Sequence, residues 1–467
     1  MKLRTILLAF FILSFACSRF AYAADFESRL KVLEDTLKVQ QEKIQEQQKV
    51  INELKDELSA IKNTPAVNTP EAVSLPLTPQ ASAAEEKPEE KPSRLSGLYG
   101  GAAFTNPYIS LILDTYLYSS SIRQNDLVNR GIPGYLANDV AFGIDRRKGF
   151  NLDSAELFIF APVDPYFNLY ATIPVDQNGA TVEEAYFVTT SLPYGLQVKG
   201  GRFKSGFGRI NGQHKHAWDF ADIPLVYRAF LGNEGMNDNG VQVTYLPELP
   251  FYLQLGGEVL QGENDRLFGA DAKGGPHAFT GFAKASFDTS DYSTILFGPS
   301  VLFGSSKNNS IQENTTFTGN SQLFGFESVY KWKPSTQKSL IVQSEYLYRH
   351  QTGNLVDNLP LPFASNSLRR AQDGFYVQSL YQMGRWRVGA RYDLLDVFTH
   401  DYTLGGKNVG QGPRPWRATG ALEWNGTEFS RLRLQYNHDM SGRDGRANDE
   451  WFLELIFGIG AHAAHTF

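Results

Sequence analysis

From about Leu98 to Phe467, apolar and polar residues alternate with a period of two in segments of roughly ten residues, the pattern of half-buried strands. In Leu340 to Arg349, Leu340, Val342, Tyr346 and Tyr348 share one face, and Gln343, Glu345 and Arg349 the other. Arg385 to Asp393 sets Trp386, Val388, Ala390 and Tyr392 against Arg385, Arg387, Arg391 and Asp393. Arg431 to Asn437 sets Leu432, Leu434 and Tyr436 against Arg431, Arg433, Gln435 and Asn437. Short turns and long polar connections separate the segments in strict rotation. The short turns fall at Val163-Asp164-Pro165, Leu192-Pro193-Tyr194-Gly195, Pro247-Glu248-Leu249-Pro250, Asp288-Thr289-Ser290-Asp291, Lys333-Pro334-Ser335-Thr336, Met383-Gly384 and Asn425-Gly426. Long connections include 120–149, 204–239 and 351–373. Seven short turns with a first and a last strand predict sixteen strands and eight long loops. Periodicity alone fits either a soluble sandwich with its charges outward or a barrel with its charges around a lumen.

A second pattern precedes the strands. Leu30, Leu37, Ile44, Ile51 and Leu58 hold one heptad position, and Phe26, Leu33, Gln40, Gln47, Leu54 and Ile61 the other. A seam sustained over five heptads from Asp25 to Asn63 predicts a coiled coil of ~55–60 Å, and one helix cannot bury it alone. Gln40 and Gln47 in the seam cost stability and fix register. Six prolines between Pro65 and Pro92, with Ala, Glu and Lys around them, predict an extended linker with too little apolar content to fold.

The N-terminus decides between sandwich and barrel. Lys2 and Arg4 precede an apolar run from Ile6 to Ala16, and Ala21-Tyr22-Ala23 gives the small-x-small cleavage pattern of an export signal. The run is too short to span a bilayer as a helix. Cys17, the only cysteine, lies inside the signal, and Ser14-Phe15-Ala16 before it does not form a lipoprotein box. The mature chain therefore has no disulfide and no thiolate metal site. Export, the turn and loop rotation and the chain's last strand favour a barrel; enrichment in Gly, Tyr and Phe (42, 22 and 33 residues) suits a greasy outside and a wet interior but fits a soluble, aromatic-rich β-protein equally. A formal charge of -6 argues against a dedicated nucleic-acid partner. The predicted organisation is a signal peptide (1–23), a periplasmic coiled coil (24–63), a Pro-rich linker (64–97) and a barrel embedded in outer-membrane lipid (98–467). The fold class is all-β, a 16-stranded antiparallel transmembrane β-barrel preceded by an α-helical coiled coil. An even strand count returns both barrel ends to the periplasm, and pairing of the first with the last strand removes the sheet edges.

The last segment puts Trp451, Leu453, Leu455, Phe457, Ile459, Ala461, Ala463, His465 and Phe467 on one face. It resembles the C-terminal aromatic signal read by the barrel-assembly machinery, with Phe467 as its terminal residue. Coiled coil, Pro-rich spacer and sixteen-strand pattern together resemble the phosphate-selective porin O and P group and related general porins. That resemblance implies passive diffusion of small hydrophilic solutes, a homotrimer and an anion preference. Gly201-Arg202-Phe203, His214-Lys215-His216-Ala217-Trp218-Asp219-Phe220 and the ending Gly460 to Phe467 are similar to zinc-regulated outer-membrane receptor-like proteins, which implies metal-linked uptake. A coiled coil stands here where such a receptor has a plug domain, which argues against TonB coupling.

Three sets of residues are candidates for chemistry. The third long loop carries Lys204, Arg209, His214, Lys215, His216 and Arg228 with Asp219, Asp222 and Glu234, and as an inward constriction loop its opposed charges would filter polar solutes. Arg385, Arg387, Arg391, Arg417, Arg431 and Arg433 form a lumen ladder on neighbouring strands that either attracts oxyanions or pairs with Glu345, Asp393 and Glu423. His214 and His216, with His462 and His465, offer imidazoles suited to zinc, copper or nickel, although a zinc site normally takes three or four ligands. No nucleophile motif, phosphate-binding Gly loop or metalloprotease helix motif is present, so no enzyme and no cofactor are expected. The remaining alternative is an anchor, in which the coiled coil grips the cell wall and the barrel only holds the membrane.

Overall fold

The computed structural model describes residues 107–128, 130–132, 134–135, 147–264, 266–268, 274–312, 315–357, 364–410, 412–442 and 444–460. The expected signal peptide, coiled coil and linker, together with His462, His465 and Phe467, lie outside the described residues.

Sixteen antiparallel strands form the wall: β1 Tyr108–Ser120, β2 Gly149–Pro162, β3 Phe167–Asp176, β4 Glu184–Thr189, β5 Leu196–Lys204, β6 Asn237–Tyr245, β7 Tyr252–Leu260, β8 Ala278–Ser290, β9 Ser293–Gln312, β10 Thr315–Ser335, β11 Lys338–Asp357, β12 Ala364–Met383, β13 Trp386–Leu404, β14 Trp416–Thr427, β15 Ser430–Asp439 and β16 Asn448–Gly460. Two-residue ladders at Gly179–Ala180 and Lys407–Asn408 extend loops after β3 and β13. Each strand pairs with its chain neighbours. β1 also pairs with β16, from Ser110 opposite Gly460 to Ser120 opposite Glu450, and this closes the ring. Closure leaves no edge for another chain to extend. Short turns join strands at one end as expected, although the turn expected at Asn425-Gly426 comes two residues later because β14 runs on to Thr427. The connections 120–149 and 204–237 are long at the other end, whereas the expected long connection 351–373 is mostly strand, since β11 continues to Asp357 and β12 starts at Ala364.

The pleat sorts side chains as the alternation predicts. Trp386, Val388, Tyr392, Leu434, Trp451, Leu453, Phe457 and Ile459 are all exposed on the outer face. Arg391, Asp393, Arg433, Gln435, Asn437 and Glu454 are buried on the inner one. An apolar outside around a polar inside is the reverse of a soluble barrel and belongs in a bilayer.

The interior is not uniformly wet. A short helix, α1, Gln124–Val128, follows β1. Residues 205–236, between β5 and β6, turn into the lumen and carry the helix α2, Leu225–Phe230, every residue of which is buried. Phe207, Ile210, Val226, Tyr227 and Phe230 of this loop meet inward-facing Phe203, Leu302, Leu323, Leu347 and Leu395 of the wall in one apolar cluster. Burial at ~25 cal/mol per Å2 makes such a cluster a large share of loop docking. It also explains the breaks in the polar parity. Leu347 lies between Glu345 and Arg349 on the lumen side of β11 because it receives the loop, not water.

Leu434, near the middle of β15, is 43% exposed on the outer face. Leu434→Arg is expected to destabilise the barrel by about 2–4 kcal/mol in urea unfolding from lipid vesicles. An unchanged unfolding midpoint would contradict the assigned lipid face.

Candidate functional site

The inward loop is tied to the wall on several sides. On β11 and β12, Glu345 accepts four hydrogen bonds: from Arg209 N at 2.8 Å, Ile210 N at 3.1 Å, and the Tyr227 and Tyr376 hydroxyls at 2.6 Å each. Gly208 makes the entry into this cradle. Its φ is +63°, and a Cβ there would stand 2.2 Å from the Tyr227 hydroxyl and 2.5 Å from a Glu345 oxygen. Only glycine fits both the left-handed backbone and the space. On β7, Glu258 accepts from Ser205 Oγ at 2.5 Å and Gly206 N at 2.7 Å.

On β13 to β15 the polarity of the contacts reverses, and the wall is cationic. Asp222 of the loop accepts from Arg391 and Arg417 at 2.7 Å each, Gln435 at 2.8 Å and Asn437 at 3.1 Å. Asp219 takes Arg387 at 2.5 Å, and Asp393 accepts the Leu225 amide at 2.8 Å beside both arginines. Arg433 bridges Glu423 and Glu454 at 2.8 and 2.6 Å and donates to the Trp218 carbonyl at 2.8 Å. Arg431 lies 3.6 Å from Glu423. Five of the six ladder arginines are thus engaged by carboxylates. The sixth, Arg385, corrects the expectation: it sits on the exposed turn between β12 and β13, outside the strand, where the parity of the strand no longer governs its direction.

Of the loop candidates, Lys204 is the last residue of β5 and 2.7 Å from Glu183. Arg209 donates to Gln343 at 3.2 Å, and Arg228 is buried within α2. Glu234 is exposed at the lumen mouth. The expected charge opposition within the loop is therefore mostly opposition between loop and wall.

The histidines meet carboxylates from β2, β4 and the loop between β3 and β4. His214 Nδ1 lies 3.1 Å from Glu183 Oε2 and 3.9 Å from Glu156 Oε2, and its Nε2 lies 2.9 Å from Glu184 Oε2. His216 Nδ1 is 3.1 Å from Glu156 Oε2, and the two imidazoles stack at 5.7 Å and 16°. Lys215, between them, pairs with Asp153. Burial alone would lower the His214 pKa, but its hydrogen bonds to Glu183 and Glu184 outweigh this and raise it to about 10. Burial would likewise raise the Glu183 carboxyl, yet Lys204 and His214 hold it well below the usual carboxylate range. Glu156, Glu183 and His214 bring one ligand atom each to within 4.8 Å of one another. The sequence reading joined His214 to His216 but passed over these acids. The adjacent pair Glu183-Glu184 at a loop–strand junction was the available signal.

Above the loop lies a cavity of about 720 Å3 on the long-loop side. Its lining includes seven acids, Asp153, Glu156, Asp176, Glu183, Asp222, Glu234 and Glu263, against the cations Arg202, Lys215 and Arg266. Asp176 and Glu234 have no cationic partner within salt-bridge distance among the described residues.

An uncharacterized protein of Aquifex aeolicus (strain VF5) is 39% identical over 382 residues, 77% of this chain and 80% of the relative. No family model matches the sequence. Among solved structures, the fold is similar to an anion-selective porin from Comamonas acidovorans (9% identity, 76% of this chain and 99% of that chain, TM-score 0.48). It is also similar to the trimer form of OmpT, an outer membrane protein of Vibrio cholerae (10% identity, 76% and 99%, TM-score 0.46). OprB of Pseudomonas putida matches with 10% identity over 78% of this chain and 97% of that chain, at a TM-score of 0.43.

Glu345→Ala would leave four donors facing an apolar methyl, at an expected cost of roughly 3 kcal/mol or more in loop docking. Limited proteolysis within 205–236 should then accelerate while the barrel keeps its folded mobility on gels; unchanged cleavage would contradict the anchoring role. For His214 the sign is set by a raised value. Its contribution is fully present below the ordinary value of 6.5 and is lost as pH rises through about 10. An NMR titration in metal-free buffer should place the imidazole midpoint near 10, and a midpoint between 6 and 7 would break the assigned clamp.

Proposed function

Because the chain belongs to the family of the Aquifex aeolicus protein and folds as a closed transmembrane barrel, we propose that it is an outer-membrane porin for passive diffusion of small hydrophilic solutes, preferring cations. The acid-lined vestibule above the inward loop carries this reading. Carboxylates around a low-dielectric opening raise the local concentration of cations and repel anions. The loop beneath sets the constriction. The reading involves no covalent chemistry and no cofactor. Homotrimeric assembly is part of the proposal, supported by the heptad seam of 24–63, as are insertion by the barrel-assembly machinery through Phe467 and a periplasmic place for the coiled coil. Contact of the coiled coil with the cell wall would add anchoring to transport.

An anion preference is favoured by a different observation. Arg349 and Arg370, on β11 and β12, are 1% and 4% exposed, and among the described residues no carboxylate pairs with either. Nε of each and one terminal nitrogen of Arg370 have no hydrogen-bond partner among the described residues. Arg349 instead stacks over Phe230 and Tyr135, at 4.8 and 5.5 Å from the ring centres. These guanidiniums are sealed from the vestibule, whereas Asp176, Glu234 and Glu263 face it. The vestibule therefore governs which ions enter.

The reversal potential of the purified protein in a planar bilayer under a KCl gradient tests the reading. A cation-selective current is expected, and Asp176→Asn with Glu234→Gln and Glu263→Gln should lower the cation-to-anion permeability ratio about twofold. An anion-selective current sensitive to Arg349→Gln would favour the buried guanidiniums. Absence of any current would sink the porin reading.

A further inference from the structure

The histidine–carboxylate cluster does more than an ion-pair anchor requires. Three side chains from three separate segments, β2, the β3–β4 loop and the inward loop, bring one oxygen, one oxygen and one nitrogen to within 4.8 Å of one another, and the two carboxylates line the vestibule. We propose that Glu156, Glu183 and His214 bind a first-row divalent cation such as Zn2+.

The geometry fits the ion. Zinc–ligand bonds of ~2.0–2.2 Å in a tetrahedron imply ligand-to-ligand edges of ~3.3–3.5 Å. The His214 Nδ1 edges to Glu183 Oε2 and Glu156 Oε2 are 3.1 and 3.9 Å, which bracket that value. The charge fits as well: the ion displaces the Nδ1 proton that the His214 imidazolium donates to Glu183, that proton leaves to solvent, and the two carboxylates with the neutral imidazole that remains balance a divalent cation. The surroundings supply orienting partners of the kind metal ligands use. Glu184 Oε2 sits 2.9 Å from the far nitrogen of His214, so Nε2 keeps its proton and Nδ1 is left as the ligand atom. Lys204 holds the other oxygen of Glu183 at 2.7 Å, which limits that carboxylate to one metal bond. His216 Nδ1, 3.1 Å from Glu156 Oε2, uses one lone pair of that oxygen and leaves the second for the ion. Glu156 and Glu183 also line the cavity, so the fourth position faces water or a passing solute.

The mixed nitrogen and oxygen set selects the ion class. Imidazole suits zinc, nickel and copper, whereas calcium and magnesium take all-oxygen shells. The ion would join the inward loop to β2 and to the β3–β4 loop at the edge of the constriction. Bound metal is therefore expected to stiffen the loop and reduce vestibule charge.

The inference stands apart from conduction, because binding is read on the full-length, detergent-solubilised protein stripped with EDTA. Equilibrium dialysis against ZnCl2 should give one Zn2+ per chain, not displaced by excess Ca2+. His214→Gln and Glu183→Gln should each weaken binding at least about tenfold, and Glu184→Gln by about 10–100-fold. Heat-modifiable gel mobility checks that each variant is folded. No bound zinc in the folded wild type, calcium displacing zinc, or folded His214→Gln and Glu183→Gln variants binding as the wild type does, would each overturn the proposal. Zinc binding without ionic current would count against the porin reading and leave this site standing; current without zinc binding would do the reverse.

Discussion

A bilayer offers no hydrogen-bond partner to a backbone amide, so a sheet that crosses it must close on itself. That constraint generates the rest of this structure. Closure through the β1–β16 register fixes an inside and an outside, and the period-two pleat then sends every second side chain to each. Lipid accepts only the apolar set. The charged and amide side chains are forced inward, into a space too small to hydrate them all freely, and they need partners there.

The inward loop is that partner. Its contacts are divided by charge: the β11 and β7 side presents Glu345 and Glu258 to loop amides and hydroxyls, and the β13 to β15 side presents arginines to loop aspartates. Removing one member of such a pair strands a buried charge, which typically costs 3–5 kcal/mol, roughly. Glu345 and Asp393 therefore act as positioning residues for the loop. The apolar cluster beneath α2 supplies the non-directional share of the docking energy. Part of the lumen is thus a packed core, and the aqueous space is displaced toward the long loops.

This arrangement separates the basic from the acidic half of the interior. Five of the six ladder arginines are occupied by carboxylates and line the loop's docking side, while the acids lining the vestibule outnumber the cations there. The charge that is abundant along the ladder is not the charge that predominates around the vestibule.

The sequence by itself determined the barrel wall: sixteen strands, the end at which the short turns lie, the outward faces of β11, β13, β15 and β16, and the third long loop as the one that folds inward. These follow from a two-residue period and turn chemistry, which are local and survive in a linear reading. The engagement of Arg387, Arg391, Arg417 and Arg433 was open in the sequence between an anion track and ion pairs, because which charges meet depends on loop residues such as Asp219 and Asp222, 168 positions from Arg387 and 195 from Arg417. Arg385 was misplaced because a turn ends the parity that the strand obeys. Leu347, Leu302 and Leu323 broke the polar face, and only the folded loop explains why. Only the tertiary structure decided that Glu156, Glu183 and His214 converge, since closing the ring and folding the loop inward bring three distant segments to one point, and no spacing along the chain encodes that distance.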